Sequence, residues 1–267
     1  MLSNINFVNP WLVAIILNTV LLSLVYFAPK KLLTLGGIVH AWILGVLIWG
    51  SLGWPGYAVV VFYFLVGSGV TRIGMAEKQA AGIAEKREGA RGPENVWGSA
   101  LTAAICAVGV WVIVSLYPKY NPLIENLPFL LMLGYVASFS TKLSDTCASE
   151  VGKAYGKQTF LITTLQPVPR GTEGAVSLEG TLAGIVASFA IACLGWTVGL
   201  IDLTGIVFCV IAAFIATNLE SVIGATMQSQ FEWLTNEIVN IINTLIGAMV
   251  AILLAIVWYY IVMRITY

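Results

Sequence analysis

The feature that most constrains this chain is a succession of long apolar segments separated by short polar loops. The segments are about 17 to 24 residues long, close to the roughly 20 residues that a helix needs to cross a bilayer. Their apolar residues are continuous instead of alternating with polar ones, as they would in barrel strands. We therefore predict an all-α, polytopic membrane protein with eight transmembrane helices, or seven if the marginal fifth segment is broken or re-entrant. The predicted spans are about 8–28, 34–52, 56–73, 98–117, 127–143, 179–200, 203–222 and 240–263.

Composition excludes several other classes of protein. With 59% hydrophobic and 10% charged residues, a water-soluble fold of 267 residues is excluded, and no nucleic-acid partner is expected. The four scattered cysteines form no CxxC pair, so neither a disulfide framework nor a thiolate metal site is predicted. Gly156-Lys157 is followed by Gln158, and Val151 stands where a Walker A motif requires glycine. The whole chain is thus predicted to be one transmembrane domain (residues 1–267).

Charged residues are concentrated on one predicted face. Eight spans place loops 29–33, 74–97, 144–178 and 223–239 on the same side, which carries 11 of the 13 basic residues. The positive-inside rule makes that face cytoplasmic, with both termini outside. It also carries 11 of the 13 acidic residues, which the rule does not require, so a polar site on this face is favoured over an ion path. The 11 basic residues are Lys30, Lys31, Arg72, Lys78, Lys86, Arg87, Arg91, Lys142, Lys153, Lys157 and Arg170, and the other face has Lys119 and Arg264.

The polar stretch 138–157 is the centre of the predicted site. Ser144 or Asp145 is expected to cap a helix that ends at Gly156. On that helix Asp145, Ser149, Gly152 and Gly156 follow at spacings of four, three and four, so they share one face. Two interpretations stay open: a small-residue helix contact at Gly152 and Gly156, or a Mg²⁺–phosphate site at a membrane surface.

Two loops on the same face could supply phosphate contacts. Residues 75–88 are predicted to form a helix that stops before Gly89, and the cations of loop 74–97 could bind phosphate oxygens or lipid headgroups, or simply pair with neighbouring acids. Loop 144–178 contains Pro167 and Pro169, which forbid a regular helix there. Its Gly171 and Thr172 offer N–H groups and a hydroxyl suited to a phosphate cradle, although such loops often only turn the chain.

A polar residue inside an apolar span either hydrogen-bonds to a neighbouring helix or belongs to a binding site. Glu220 lies within span seven, where an unpaired carboxylate is costly, and is a metal or counter-ion candidate. The amides of Asn236, Asn240 and Asn243 share one helix face, which interhelical hydrogen bonding alone would also explain. Asn18 lies within span one, and His40, within span two, is interpreted as structural. The predicted substrate pocket consists of Asn218, Gln228, Asn236 and Asn240.

These motifs resemble a known family. Asp145-Thr146, Ala148 and Gly152, with the later Glu179-Gly180, are similar to the signature of the membrane CTP-dependent polyprenol kinases, although Ser177 departs from their Lys-Thr pattern. The closer resemblance is to a sister family that includes the membrane phytyl phosphate kinases of tocopherol synthesis. That family more often has Asp where Glu220 stands. The matching positions are Arg87, Gly89, Arg91, Gly92, Asn95, Val96, Asp145, Thr146, Ala148, Ser149, Glu150, Val168, Pro169, Gly171, Thr172, Gly174, Gly224, Gln228 and Asn240.

The resemblance implies transfer of the γ-phosphoryl group of CTP, or of another nucleotide, to phytyl monophosphate. It implies Asp145 as the main Mg²⁺ ligand and Glu220 as a second, with Glu150 sharing the metal only if Asp145 lies in a helix cap. The predicted catalytic residues are Asp145, Glu150, Arg87 and Arg91. The implied phosphate contacts are Lys78, Arg87, Arg91, Asn95, Ser149, Lys157, Arg170, Gly171 and Thr172.

Three alternatives remain at this stage: a kinase of phytol or dolichol, a lipid cytidylyltransferase, and a membrane transporter. A transporter is expected to have mid-membrane ionisable residues and inverted repeats, which the sequence does not indicate. Residues 1–7 lack the charge of a signal peptide, and no transit peptide is recognised, which favours a bacterial, perhaps cyanobacterial, membrane. A homodimer is left open.

Overall fold

The computed structural model describes residues 9–28, 31–117, 125–228 and 230–266, without the side chains of Lys86, Glu88 and 263–266. Lys30 and Lys119, and the side chains of Lys86 and Arg264, therefore lie outside the described part. Seven of the described α-helices, all except α3, are long and apolar enough to cross a membrane. The helices are α1 (Pro10–Phe27), α2 (Leu35–Thr71), α3 (Met75–Ala80), α4 (Pro93–Leu116), α5 (Leu127–Tyr155), α6 (Leu178–Thr197), α7 (Leu203–Thr226) and α8 (Asn236–Thr266).

Helix α2 is a hairpin of two helical halves. Gly53 has φ 67° and ψ −158°, outside the helical region, and Pro55 follows it. A straight helix of this length would be about 55 Å long, yet the guanidinium of Arg72 donates a hydrogen bond to the carbonyl oxygen of Lys31 at 3.2 Å. The halves 35–52 and 54–71 therefore run in opposite directions. Within the described residues, counting both halves gives eight apolar helical segments, the predicted number of spans.

Helix α5 is the central element of the bundle. It packs against α2, α4, α6, α7 and α8, and residues 133–144 are all buried. Its 29 residues form one unbroken helix that continues past residue 143, so the prediction of a helix cap at Ser144 or Asp145 was wrong. Their polar side chains are accommodated because neighbouring helices, not lipid, surround them. The predicted end at Gly156 is confirmed, where its N–H donates to the Gly152 carbonyl at 3.0 Å.

Small residues bring α5 and α6 into close contact. A Cβ atom on Gly180 would lie 2.4 Å from the carbonyl oxygen of Ala148, and one on Gly184 would lie 2.8 Å from the Ser144 hydroxyl. Gly152 and Gly156 face the hydroxyl of Ser177 across the same contact. The helix-packing interpretation is thus confirmed for Gly152 and Gly156.

The loops at the polar end of the bundle pack on each other and on α7. The helix predicted over 75–88 is shorter, because Gly82 takes φ 71° and the Ile83 N–H closes the helix end on the Lys78 carbonyl at 2.9 Å. As predicted, loop 157–177 contains no helix; strands β1 (Phe160–Leu161) and β2 (Ala175–Val176) pair there in antiparallel fashion. Gly174, at φ 76°, approaches α7 so closely that a Cβ would lie 2.6 Å from the Ser221 carbonyl.

The polar residues Asn18 and His40, inside the first two spans, have internal partners. The amide of Asn18 donates to the Ala14 carbonyl at 2.9 Å and accepts from the Tyr57 hydroxyl at 3.0 Å. His40 accepts a hydrogen bond from the indole N–H of Trp97 at 2.8 Å. Their hydrogen bonds tie α1, α2 and α4 together, which agrees with the structural interpretation of His40.

Candidate active site

A cavity of about 510 Å³ lies at the end of the bundle where loops 72–92 and 156–177 meet. This volume is within the range usual for small-molecule sites. Its walls come from α4, α5, α6, α7 and α8 and from both loops. Ten charged residues line it: the bases Arg87, Arg91, Lys142 and Lys153 and the acids Glu85, Asp145, Glu150, Glu173, Glu220 and Glu237.

Two carboxylates from different helices form the core of the site. Asp145 on α5 and Glu220 on α7 interact with each other and with the ammonium of Lys142. The Lys142 Nζ atom lies 2.5 Å from Asp145 Oδ2 and 2.6 Å from the amide oxygen of Asn240 on α8. The amide of Asn243 donates to the second carboxylate, that of Glu220. Three helices thus converge on one cluster of two carboxyl groups, one ammonium and two amides.

The donors in this cluster fit a hard divalent cation. Among the described residues, no group of three or more His, Cys, Asp and Glu side chains is arranged as a metal site. Mg²⁺, however, is commonly bound through one or two carboxylates, with water and substrate phosphates completing the shell. Asp145 and Glu220, with the Asn240 amide oxygen beside them, match that donor set.

The amide stripe of α8 faces this cluster. Asn236 accepts from Gln228, Asn240 accepts from Lys142, and Asn243 donates to Glu220. The first two asparagines line the cavity together with Gln228 and Asn218. The interhelical hydrogen bonds expected of the stripe are therefore present, and they hold side chains of the cavity wall.

Two arginines form the basic side of the cavity. The guanidinium of Arg91 donates to the Tyr63 hydroxyl at 2.9 Å and lies 5.0 Å from the centre of that ring. Its backbone is fixed by hydrogen bonds to Leu32 and Thr34. Arg87 is paired with Glu94 and donates to the side-chain oxygen of Asn95 at 3.1 Å. Both arginines therefore have their positions set by neighbours before any ligand binds.

Most of the other residues predicted for the site also line the cavity, but three predicted phosphate contacts do not. Lys78 is only 1% exposed, forms an ion pair with Glu150 and donates to the Thr71 carbonyl at 2.8 Å. Arg170 donates to the Ala154 carbonyl at 3.0 Å, near the C-terminal end of α5. Lys157 is exposed and outside the lining. The lining does include Ser149, Gly171 and Thr172.

The position of Glu150 follows from the continuous helix. Five residues after Asp145 on one helix, it is turned by about 140° from that residue, and its carboxylate contacts Lys78 and Lys153, the latter at 3.4 Å. The condition for Glu150 to share a metal with Asp145, a helix cap at Asp145, is therefore not met.

The sequence prediction did not assign Lys142 to the site. The spacing in the sequence does indicate this residue, because a lysine three residues before Asp145 lies on a neighbouring part of the same helix face. With the span predicted to end at residue 143, Lys142 is interpreted only as a charge at the end of that span. Glu173 and Lys153 also line the cavity, and neither belongs to a motif that distinguishes it from other loop charges.

Comparison with known proteins gives a consistent family. Residues 18–248 match the family described as integral membrane protein DUF92. An uncharacterised membrane protein of Synechocystis sp. is 68% identical over 243 residues, 91% of this chain and 90% of that protein. The chloroplastic protein VTE6 of Arabidopsis thaliana is 46% identical over 224 residues, 83% of this chain and 65% of that protein. An uncharacterised membrane protein of Methanocaldococcus jannaschii is 30% identical over 219 residues, 82% of this chain and 84% of that protein.

No solved structure is significantly similar to this chain. The family match covers all the segments that form the cavity, from α2 to the first half of α8. The resemblance identified from the motifs around Asp145, Gly171 and Asn240 is confirmed by these relatives. The chain belongs to the DUF92 family of integral membrane proteins.

Proposed function

We propose that this protein is a prenyl phosphate kinase that transfers the γ-phosphoryl group of CTP to phytyl monophosphate and produces phytyl diphosphate. The observation that carries the proposal is that one cavity is lined both by the carboxyl groups of Asp145 and Glu220 and by the guanidinium groups of Arg87 and Arg91. The resemblance to the membrane phytyl phosphate kinases of tocopherol synthesis supports this kinase function. The similarity to VTE6 is consistent with the same function. The charge bias supports a cytoplasmic position for the cavity, in a bacterial or cyanobacterial membrane.

The reaction places few demands on proton transfer. A phosphate oxygen of the acceptor forms a new bond to the γ-phosphorus, the bond from that phosphorus to the β,γ-bridging oxygen breaks, and CDP leaves. Since the attacking oxygen is already anionic, the reaction needs no strong general base. The main requirement is to hold several negative phosphate groups in line, which is a matter of positioning and charge neutralisation.

The residues of the cavity suit that requirement. Asp145 and Glu220, with the Asn240 amide oxygen, would hold Mg²⁺, which supplies neutralisation of phosphate charge when bound. Lys142 contacts both Asp145 and Asn240 and so holds these two oxygen donors in position. Arg91 and Arg87 offer planar guanidinium groups that match phosphate oxygens.

The direct test is an assay of detergent-purified protein with Mg²⁺, γ-labelled CTP and either phytyl monophosphate or phytol. We expect label in phytyl diphosphate, and only with the monophosphate. Label on phytol alone would instead assign the protein to the alcohol kinases. Release of pyrophosphate with formation of a CDP-lipid would indicate a cytidylyltransferase, and no transfer with any nucleotide would overturn the proposal.

Arg91 is expected to contribute strongly to phosphate binding. The Arg91→Gln variant should reduce kcat/KM about 10- to 100-fold, the usual value of a hydrogen bond to a charged group. Arg91→Lys should recover only part of the loss, because an ammonium cannot form the two-pronged contact. Steady-state kinetics with the monophosphate would measure both variants.

The matched control for Arg91 is Arg72→Gln. Arg72 contacts the Lys31 carbonyl and does not line the cavity. Equal losses in Arg91→Gln and Arg72→Gln would mean that Arg91 acts only through the fold.

A further inference from the structure

A second, smaller cavity of about 100 Å³ lies between α1, the two halves of α2 and α4. Its walls are almost entirely apolar and include Leu22, Ala41, Leu44, Val60 and Phe64. The Asn18 amide and the Tyr57 hydroxyl also line it, but they are hydrogen-bonded to each other at 3.0 Å. The cavity therefore suits hydrocarbon and offers little to a nucleobase or ribose, which need polar partners.

This apolar cavity adjoins the charged one. Four residues, Tyr63, Arg91, Asn95 and Ser99, line both. Arg91 is the cationic group at the junction, with its guanidinium held by the Tyr63 hydroxyl and 5.7 Å from the centre of the Phe64 ring. A ligand with an anionic group at Arg91 can thus extend an apolar part into the second cavity. This division matches an amphiphile whose charge is at one end.

We propose that the apolar cavity binds the first isoprene units of the acceptor's prenyl chain while its phosphate contacts Arg91. This inference rests on the proposed kinase function and specifies where the lipid substrate lies. The cavity is too small for a whole phytyl chain, so the remainder extends toward lipid along α1. That helix packs mainly on α2, and Leu12 and Ile16 on it are exposed. The polar cavity is thereby left to the nucleotide and the transferred phosphoryl group.

Photocrosslinking tests the location independently of catalysis. The probe is a geranylgeranyl phosphate analogue with a diazirine on its first isoprene unit, added to the full-length protein in nanodiscs and mapped by mass spectrometry. We expect labelled peptides from residues 35–71, α1 or α4, with protection by unlabelled geranylgeranyl phosphate. Labelling confined to α6 and α7 would overturn the proposal, and so would protection by phospholipid but not by the prenyl phosphate.

A variant that fills the cavity provides the second arm. Ala41→Phe should lower crosslinking and reduce kcat/KM for geranylgeranyl phosphate about tenfold, the scale of a lost hydrocarbon contact, with much less effect on methyl phosphate, which has no isoprene unit to enter the cavity. Ala190→Phe, the same change at an exposed position on α6, should alter neither. If kinase activity is present but Ala41→Phe leaves the chain-length dependence unchanged, the tail site is wrong and the kinase stands. Crosslinking as expected without phosphoryl transfer would mean that the tail site stands and the kinase function is wrong.

Discussion

The Asp145→Asn variant is expected to lose phosphoryl transfer by a factor of at least about 100, the effect of removing a group that stabilises charge in a transition state. Asparagine keeps the shape of the side chain but removes the negative charge opposite Lys142 and beside Glu220. The fold should persist, because the Lys142 ammonium keeps its hydrogen bond to the amide oxygen of Asn240. Residual activity should require more Mg²⁺ if Asp145 is a metal ligand. Kinetics at varied Mg²⁺ concentration and a thermal unfolding curve measure the two effects separately.

The matched control is Asp202→Asn. Asp202 begins α7, accepts the Gly205 N–H at 2.7 Å and does not line the cavity. Because asparagine is an equally good N-cap, this variant should keep both stability and activity. Normal turnover in a folded Asp145→Asn protein would exclude Asp145 as the main metal ligand.

The second large effect is expected on stability, at the ion pair between Lys78 and Glu150. Both side chains are almost fully buried, with exposures of 1% and 2%. Glu150→Gln leaves the Lys78 ammonium buried without this carboxylate, which typically costs about 3–5 kcal/mol of unfolding free energy. We therefore expect a clearly lower midpoint of thermal unfolding in detergent. Glu94→Gln, which breaks a half-exposed pair with Arg87, should cost at most about 1 kcal/mol.

A double variant separates packing from catalysis at this pair. Lys78→Met with Glu150→Leu removes both charges, and similar-sized apolar replacements of buried pairs are often close to neutral in stability. A stable and active double variant would mean that the pair only joins α3 to α5. A stable but inactive double variant would mean that Glu150 acts in catalysis. If Glu150→Gln is as stable as the unmodified protein, the pair does not stabilise the fold.

The spans could be predicted well because their cause is local. Each needs a run of apolar side chains of bilayer length, and the break at Gly53 and Pro55 is visible in the same run. The continuity of α5 could not be predicted in this way. Its polar residues, from Ser138 to Asp145, look like the end of a span in sequence, whereas in the structure surrounding helices bury them.

The candidate site follows the same division. From the sequence alone, side-chain chemistry and the family resemblance predict Asp145, Glu220 and Asn240 as site residues. They could not separate the lysines, because Lys78, Lys142 and Lys157 are all cations on one predicted face. Packing of α3 against α5 turns Lys78 toward Glu150, while the unbroken helix places Lys142 beside Asp145.

The sequence by itself determined the membrane class, the polar end of the bundle and most of the chemical groups there, because apolar length and charge placement act along the chain. Only the tertiary structure decided which charged side chains line the cavity and which form ion pairs inside the protein. It also revealed the apolar cavity behind Arg91, whose walls come from separate helices, α1, α2 and α4. Exposure and pairing depend on contacts between distant segments, and these exist only once the helices have packed.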